Sequence, residues 1–285
     1  MDQQIINLYD EYTHKPLSRT VFLKRLALYT GSMAAGLSML PLLESCKTAA
    51  TVTAVTDDEL FTENIKYAGQ NCEMQAYVAR PKKAGKYPTV IVIHENRGLT
   101  PHIEDVARRA AKAGYLAIAP NALAALGTLP TNDDEARTMF TKLDANQTLQ
   151  NFIKAFEYAG SRKDSNGKFG CVGFCWGGAM ANSLAVSMPN LKAASAYYGR
   201  QPKTEDVPKI KATVQLHFAS LDTRVNEGIP AYEAALKANN IKHELFMYEG
   251  VNHAFHNDTS AARYNEAAAK LSWERTLGLF KKTIG

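Results

Sequence analysis

The stretch Gly173-Phe174-Cys175-Trp176-Gly177, followed by Gly178, decides the fold of this chain. Residues 168–172 before it predict a strand, and residues 179–185 after it predict a helix. A strand, a glycine-flanked turn and a helix form a nucleophile elbow, which lifts its central side chain above a sheet. That side chain is Cys175, and the helix dipole at its position favours a thiolate. The alternative is a small buried apolar cysteine, because Gly-x-Cys-x-Gly alone is a weak pattern.

Two later segments supply partners for such a nucleophile. Thr213–Ala219 predicts a buried strand, and Asp222 follows beyond its carboxyl end. His243–Tyr248 predicts the next strand, and His253 follows it in the same way. Ligands of open α/β sheets bind at this edge. We therefore predict His253 as the general base and Asp222 as the carboxylate that fixes its tautomer. His256 is the alternative base, and helix capping is the alternative role of Asp222.

An earlier strand brings polar residues to the same edge. Residues 89–93 form an apolar run, as expected for a central parallel strand buried on both faces, and Glu95, Asn96 and Arg97 follow it. An oxyanion hole beside an elbow uses the N–H after the nucleophile and an N–H from an early strand loop. We therefore predict the N–H groups of Trp176 and Asn96 as donors. An ion pair within the loop is the alternative role of Glu95 and Arg97.

Strand-like and helix-like segments alternate along the chain, which predicts a mostly parallel, doubly wound sheet flanked by helices. The order nucleophile, acid, histidine is that of the α/β-hydrolase fold, for which about eight strands are expected. The predicted strands are 65–68, 74–80, 89–94, 115–119, 168–172, 193–198, 213–219 and 243–248.

Four segments together resemble the dienelactone hydrolase family of the α/β-hydrolases. They are residues 92–99, 173–178, 220–222 and 248–255, in the family's order, within residues 60–285. The resemblance implies a Cys175–His253–Asp222 triad and a small ester, lactone or thioester substrate. It also implies that Glu95 holds the thiol until substrate displaces that carboxylate.

The expected substrate contacts depart from the family in one respect. The best-known members hold a substrate carboxylate with arginines, one of them a helical turn after the catalytic histidine. Asn257 stands at that position, so hydrolysis of the family's enol-lactone does not follow. We predict Arg97 and Phe255 as substrate-binding residues, with core packing as the alternative for Phe255. No metal and no organic cofactor are expected.

Residues 1–46 predict an export leader that resembles a lipoprotein signal. Residues 26–43 are apolar and follow two basic residues, and residues 18–24 resemble a twin-arginine motif with Thr20 in place of the second arginine. Cys46 would be the lipid acceptor, and residues 47–59 a tether to a catalytic domain at 60–285. The predicted location is exported, periplasmic or anchored to a membrane through the N-terminus. An uncleaved anchor and a decayed signal on a cytoplasmic protein are the alternatives.

Composition and charge narrow the function further. The 285 residues are 46% hydrophobic and 21% charged, which suits one large α/β domain plus an extension. The net charge of +5 is spread without a basic stripe, so no nucleic-acid partner is expected. The predicted function is a hydrolase that forms an acyl-enzyme. The alternative is a non-catalytic ligand-binding or sensing module on a hydrolase scaffold.

Overall fold

An eight-stranded sheet forms the centre of the protein, in a computed structural model that describes residues 1–15, 17–44 and 58–285. The strands are β1 (Leu60–Ala68), β2 (Glu73–Pro81), β3 (Tyr87–Ile93), β4 (Leu116–Asn121), β5 (Ser165–Phe174), β6 (Ala193–Tyr197), β7 (Thr213–Ala219) and β8 (His243–Tyr248). Their order is β1-β2-β4-β3-β5-β6-β7-β8, antiparallel at β1–β2 and β2–β4 and parallel elsewhere. The predicted mostly parallel sheet of about eight strands is confirmed.

Successive residues of the central strands pack into two cores, one on each face of the sheet. In β3, Val90 and Val92 belong to one core and Ile91 and Ile93 to the other. All four are fully buried, as expected for a parallel strand covered on both sides.

Helices cover both faces. They are α1 (Gln3–His14), α2 (Arg19–Thr30), α3 (Met33–Leu43), α4 (Pro101–Lys112), α5 (Asp133–Phe140), α6 (Ala145–Ser161), α7 (Trp176–Ser187), α8 (Thr223–Asn226), α9 (Ile229–Ala238) and α10 (Glu266–Thr283). Helices α4 and α10 pack on the face of Val90 and Val92, while α6, α7 and α9 pack on the opposite face.

The chain reverses direction across the sheet between β3 and β5. From β3 it continues outward to β4, and it then returns to β5 on the other side of β3. Ligands of doubly wound sheets bind at such a switch point, outside the carboxyl ends of the strands. The loop after β3 and the turn after β5 therefore form the two sides of one crevice.

The apolar run at residues 26–43 does not form one helix. Gly31, with φ +80°, ends α2 in the left-handed region, and the Ser32 side chain caps α3 by accepting from the Ala35 N–H. The two helices are bent by 108°. Within the described part of the chain, only this bent pair has the length and composition of a membrane span, and no single helix does.

Helices α1, α2 and α3 share a small core of their own. It contains Tyr9, Tyr12, Phe22, Leu26 and Leu43 among its buried residues. Helix α1 also contacts the domain that carries the sheet, as detailed below. Cys46 and tether residues 47–57 lie outside the described residues, and the division into leader, tether and catalytic domain stays a prediction.

Candidate active site

The turn after β5 has the geometry of a nucleophile elbow. Cys175 has φ 57° and ψ −112°, a conformation that costs energy for any residue except glycine. Its N–H donates to the carbonyl oxygen of Tyr197 at 3.0 Å, and α7 begins at the next residue. The side chain is therefore fixed at the crevice, at a helix N-terminus.

The glycines around Cys175 are required by close backbone approach. A Cβ on Gly173 would overlap the carbonyl oxygen of Gly177, and one on Gly177 would overlap that of Ile93 at the end of β3. A Cβ on Gly178 would overlap the carbonyl oxygen of Tyr197. The elbow therefore tolerates no side chain at these positions, which explains the sequence pattern.

His253 and Asp222 form a buried pair at the same edge of the sheet. Asp222 follows β7 and His253 follows β8, and the imidazole Nδ1 donates to Asp222 Oδ2 at 2.5 Å. Their side chains are 4% and 1% exposed. The other oxygen, Oδ1, accepts from the Val225 N–H at the start of α8. Asp222 therefore both caps a helix and fixes the imidazole, so the two roles considered from the sequence coexist.

A second histidine, which the sequence analysis missed, contacts the thiol. His14 at the end of α1 places Nε2 3.2 Å from Cys175 Sγ. Its Nδ1 donates to the backbone oxygen of Asp10 at 2.9 Å and lies 3.2 Å from the Asp10 carboxylate. The donor atoms of His14, Cys175 and His253 all lie within 4.8 Å of one another. The thiol thus lies between two imidazoles, each paired with an aspartate.

The charges of this cluster favour the thiolate. Burial alone would raise the pKa of Cys175, but His253 and His14 outweigh it and lower that pKa to about 6. Burial alone would lower the pKa of His253, yet Asp222 and the Cys175 sulfur hold it well above its ordinary value. The pKa of His14 is raised against burial by Cys175 and Asp10.

Glu95 does not hold the thiol in this structure. Its Oε2 accepts from Asn257 Nδ2 at 2.6 Å, and its Oε1 is buried without a hydrogen-bond partner. Among the described residues the hydrogen-bond partner of Cys175 Sγ is His14. Asn257 therefore holds one carboxylate oxygen of Glu95, and the predicted contact between Glu95 and the thiol is not observed.

The two predicted oxyanion donors lie on either side of the crevice. Trp176 is the first residue of α7, so its N–H has no partner within the helix. Asn96 follows β3, and its side-chain Nδ2 donates to the backbone oxygen of Thr13 in α1. Both residues line the cavity that reaches Cys175. Their assignment as donors stays a prediction.

The two predicted substrate-binding residues have different places. Arg97 lies beside a small cavity of about 30 Å³ that also reaches Cys175 and His253, but its Nη1 donates to the Asn96 carbonyl and side-chain oxygens. Phe255 is fully buried against Tyr197, Tyr198 and Tyr248 and lines neither of these cavities. Core packing, the alternative considered for Phe255, is its observed role.

The remaining histidines near the crevice are buried and structural. Burial lowers the pKa of His94 to about 4, and its Nε2 accepts from the Ala122 N–H at 3.0 Å. His256 packs against Phe174, with ring centroids 4.8 Å apart, and burial holds its pKa well below the ordinary value. The structure therefore brings His253, and not His256, to the thiol.

A cavity of about 490 Å³ opens onto Cys175. Its wall includes four side chains that carry positive charge and no carboxylate from the described residues. It is lined by Thr13, His14, Lys15, Asn96, Arg137, Phe140, Thr141, Cys175, Trp176, Ala179, Tyr198, Arg200, Arg224 and His253. This lining suits a small substrate that carries negative charge.

Within the described part of the chain, one group of side chains has the spacing to reach a single metal ion, namely His14, Cys175 and His253. A nucleophile between two imidazoles has the same spacing. The predicted absence of a metal and of an organic cofactor stays a prediction.

Known proteins resemble this chain in sequence and in fold. The model of the dienelactone hydrolase family matches residues 74–284. A protein of Escherichia coli O157:H7 named "Putative carboxymethylenebutenolidase" is 33% identical over 253 residues, covering 83% of this chain and 93% of the relative. A Synechocystis protein of the same name is 31% identical, covering 79% and 98%.

A solved structure leads to the same family. The crystal structure titled "Putative Dienelactone Hydrolase" from Klebsiella pneumoniae has a TM-score of 0.72 and 30% identity, covering 78% of this chain and 99% of that one. With the family match over residues 74–284 and the elbow geometry, the assignment follows. The chain belongs to the dienelactone hydrolase family, within the α/β-hydrolase superfamily.

Proposed function

We propose that this member of the dienelactone hydrolase family cleaves ester, lactone or thioester bonds of small substrates through Cys175, His253 and Asp222. The observation that carries the proposal is the buried His253–Asp222 pair, bonded at 2.5 Å, beside a cysteine held in the strained elbow conformation. A nucleophile, a base and a group that orients the base are the three parts that covalent catalysis requires.

The positions of these three residues define the steps of the reaction. The Cys175 thiolate attacks the substrate carbonyl carbon, and the oxygen that gains negative charge accepts from the N–H groups of Trp176 and Asn96. The imidazolium of His253 then gives its proton to the leaving group, which departs and leaves an acyl-enzyme. Water enters, His253 takes one of its protons, and the hydroxide attacks the thioester. The acid leaves and the thiolate is restored.

The cavity supports a class of substrate. Lys15, Arg137, Arg200 and Arg224 surround the space in front of the sulfur, and Arg200 is exposed to it without an ion pair among the described residues. A substrate with a carboxylate away from the scissile bond would gain from these charges. The side chain at position 257 is an asparagine bonded to Glu95, so the recognition would come from this other wall of the site.

The test is a panel of p-nitrophenyl esters, lactones and acyl-thioesters, each with and without a carboxylate. Cys175→Ala should abolish turnover, and Cys175→Ser should be much slower because serine has a far higher pKa. Cys72→Ala is the control, since Cys72 is also a free thiol but is only partly buried and bonds Asn151 away from the crevice. Full hydrolysis by Cys175→Ala would contradict the proposal. Thermal stabilisation by these ligands without product release would instead favour the binding module.

A further inference from the structure

The geometry points to helix α1 as part of the active-site wall. Its residue His14, oriented by Asp10, is a second catalytic imidazole, which holds Cys175 as a thiolate before substrate binds. This inference rests on the proposed role of Cys175 as nucleophile. It gives a catalytic role to residues of α1, which the sequence analysis places in an export leader.

Contacts along its length hold helix α1 against the catalytic domain. Gln3 bonds Asn252, Asp10 lies 3.5 Å from Arg224, and the backbone oxygen of Thr13 accepts from Asn96. Arg137 donates to the backbone oxygen of Tyr12 at 2.8 Å and stacks on its ring at 3.9 Å. These partners come from four separate parts of the domain, so the position of His14 is defined.

The orientation of His14 repeats that of His253. His253 Nδ1 donates to the Asp222 carboxylate, and His14 Nδ1 donates to the backbone oxygen of Asp10 and lies 3.2 Å from its carboxylate. Each contact fixes the hydrogen on Nδ1. In His14 the remaining nitrogen, Nε2, is then directed at the sulfur at 3.2 Å. When the thiol proton moves to an imidazole, the resulting N–H can donate back to the thiolate. Either histidine can therefore hold the proton, and both stabilise the negative sulfur.

The charged groups near the sulfur come from several elements of the fold. His253 and His14 interact with the sulfur directly, with Asp222 and Asp10 behind them, and Tyr198 also feels its charge. The cavities that reach the sulfur are further lined by charged residues of several elements, namely Lys15, Glu95, Arg97, Asp133, Arg137, Arg200, Arg224 and Arg263. Glu95, the carboxylate that would oppose a thiolate, is bonded to Asn257 instead. Among the described residues, the sulfur therefore has the His14 imidazole at hydrogen-bond distance, the His253 imidazole within 4.8 Å, and no carboxylate as a hydrogen-bond partner.

The cavity shows whether α1 lines the active site, as a wall, or blocks it, as a plug. The space of about 490 Å³ that reaches Cys175 exists with α1 in place, and Thr13, His14 and Lys15 form part of its lining. A helix that blocked the site would fill this space. Substrate can reach the sulfur without displacing α1, so His14 stays in contact with the reacting atom during turnover.

The experiment measures the thiolate directly, through its absorbance near 240 nm against pH in the full-length protein. The wild-type transition is expected near pH 6, the lowered pKa of Cys175, and Cys175→Ala should remove it. His14→Ala should move it upward by about one to two units, the usual effect of losing a neighbouring opposite charge. The rate of alkylation by iodoacetamide at pH 6 should then fall about tenfold. The acid limb of kcat/KM should move with it.

Three further variants keep the test decisive. Asp10→Asn retains the helix and should shift the transition in the same direction by less. Asp2→Ala removes the N-cap of the same helix without touching the sulfur, and His243→Gln removes an imidazole at the opposite edge of the sheet; both should leave the transition in place.

Three results would overturn the inference. They are an unchanged transition in His14→Ala, a faster hydrolysis in that variant, as expected of a plug, or one equivalent of zinc in the purified protein that is lost with His14. The thiolate transition and the zinc content are measured without turnover, so these two results do not depend on the proposed function. That proposal is tested separately, by whether the wild-type protein hydrolyses the substrate panel and Cys175→Ala does not.

Discussion

Replacing Asp222 by asparagine removes the carboxylate behind His253 while keeping the size of the side chain. Asparagine is also as good a helix N-cap as aspartate, so its oxygen can still accept from the Val225 N–H at the start of α8. The change therefore isolates one interaction, the 2.5 Å hydrogen bond from His253 Nδ1 to a negative oxygen.

The expected loss follows from the burial of this pair. Both side chains are at most 4% exposed, and removing one partner of a buried, hydrogen-bonded charge pair costs about 3–5 kcal/mol. Without Asp222, the Cys175 sulfur and Asp10 alone oppose the effect of burial, so the pKa of His253 should fall and the imidazolium that protonates the leaving group should be less stable. Each 1.4 kcal/mol is about a factor of ten in rate, so if the whole cost falls on the transition state, kcat/KM should fall by about 10² to 4 × 10³.

The assay is kcat/KM for a p-nitrophenyl ester in the plateau above pH 7, together with the melting temperature. Asp206→Asn is the matched control, because Asp206 forms a surface ion pair with Lys209 that contributes about 1 kcal/mol at most. It should keep wild-type activity. If Asp222→Asn folds normally and retains activity within about threefold of wild type, His253 does not depend on Asp222 and the triad is wrong.

Three other outcomes are expected. The reactive form of Cys175 is the thiolate, and its pKa is lowered to about 6, so kcat/KM should be constant above that pH and fall tenfold per pH unit below it. A fall in kcat/KM that begins near pH 9 would contradict the lowered pKa. Gly177→Ala should destabilise the fold by several kcal/mol, about 3 or more, since its Cβ overlaps the Ile93 carbonyl oxygen, whereas Gly278→Ala in α10 meets open space and should stabilise by about 0.5–1 kcal/mol in chemical denaturation. Arg200→Ala should raise KM for a substrate that carries a carboxylate and leave KM for p-nitrophenyl acetate unchanged; equal effects on both would exclude charge recognition.

Much of the fold was predictable because its signals are local. The elbow is a short stretch in which steric crowding dictates glycine, and the buried runs before it and after it have the length of central strands. Parallel strands carry their following residues to one edge of the sheet. Cys175, Asp222 and His253 could therefore be placed together without knowing any angle between helices.

The position of Phe255, two residues after His253, could not be predicted from its place after a strand. Ala254 has φ +64°, an uncommon conformation for a residue with a side chain. The backbone turns there, so His253 faces the crevice while Phe255 enters the aromatic core beside Tyr197. Position after a strand end gives the edge of the sheet, but the direction of each side chain depends on a loop conformation that the sequence does not signal.

His14 was unpredictable for a different reason. It is 161 residues from Cys175 along the chain, and a histidine four residues after an aspartate on a helix is an ordinary surface pattern. Apolar residues just downstream have the composition of a leader, which removes the segment from consideration before any contact is sought. Only the packing of α1 on the loops after β3 and β7 reveals the contact.

The two assignments of the N-terminal residues conflict. A cleaved export leader would be lost from the mature protein, whereas α1 must remain if it lines the active site. Cleavage before Cys46 would remove His14 and leave the Asn96 side chain and Arg137 without their partners in α1. An uncleaved anchor or a chain that stays in the cytoplasm would keep them. We therefore predict that the intact mass of the protein purified from its own host corresponds to a chain that retains residues 1–44. A mature chain that begins at Cys46 and still has a thiolate transition near pH 6 would show that His253 alone holds the sulfur. The assignment of α1 to the active site would then be wrong, while the triad would stand.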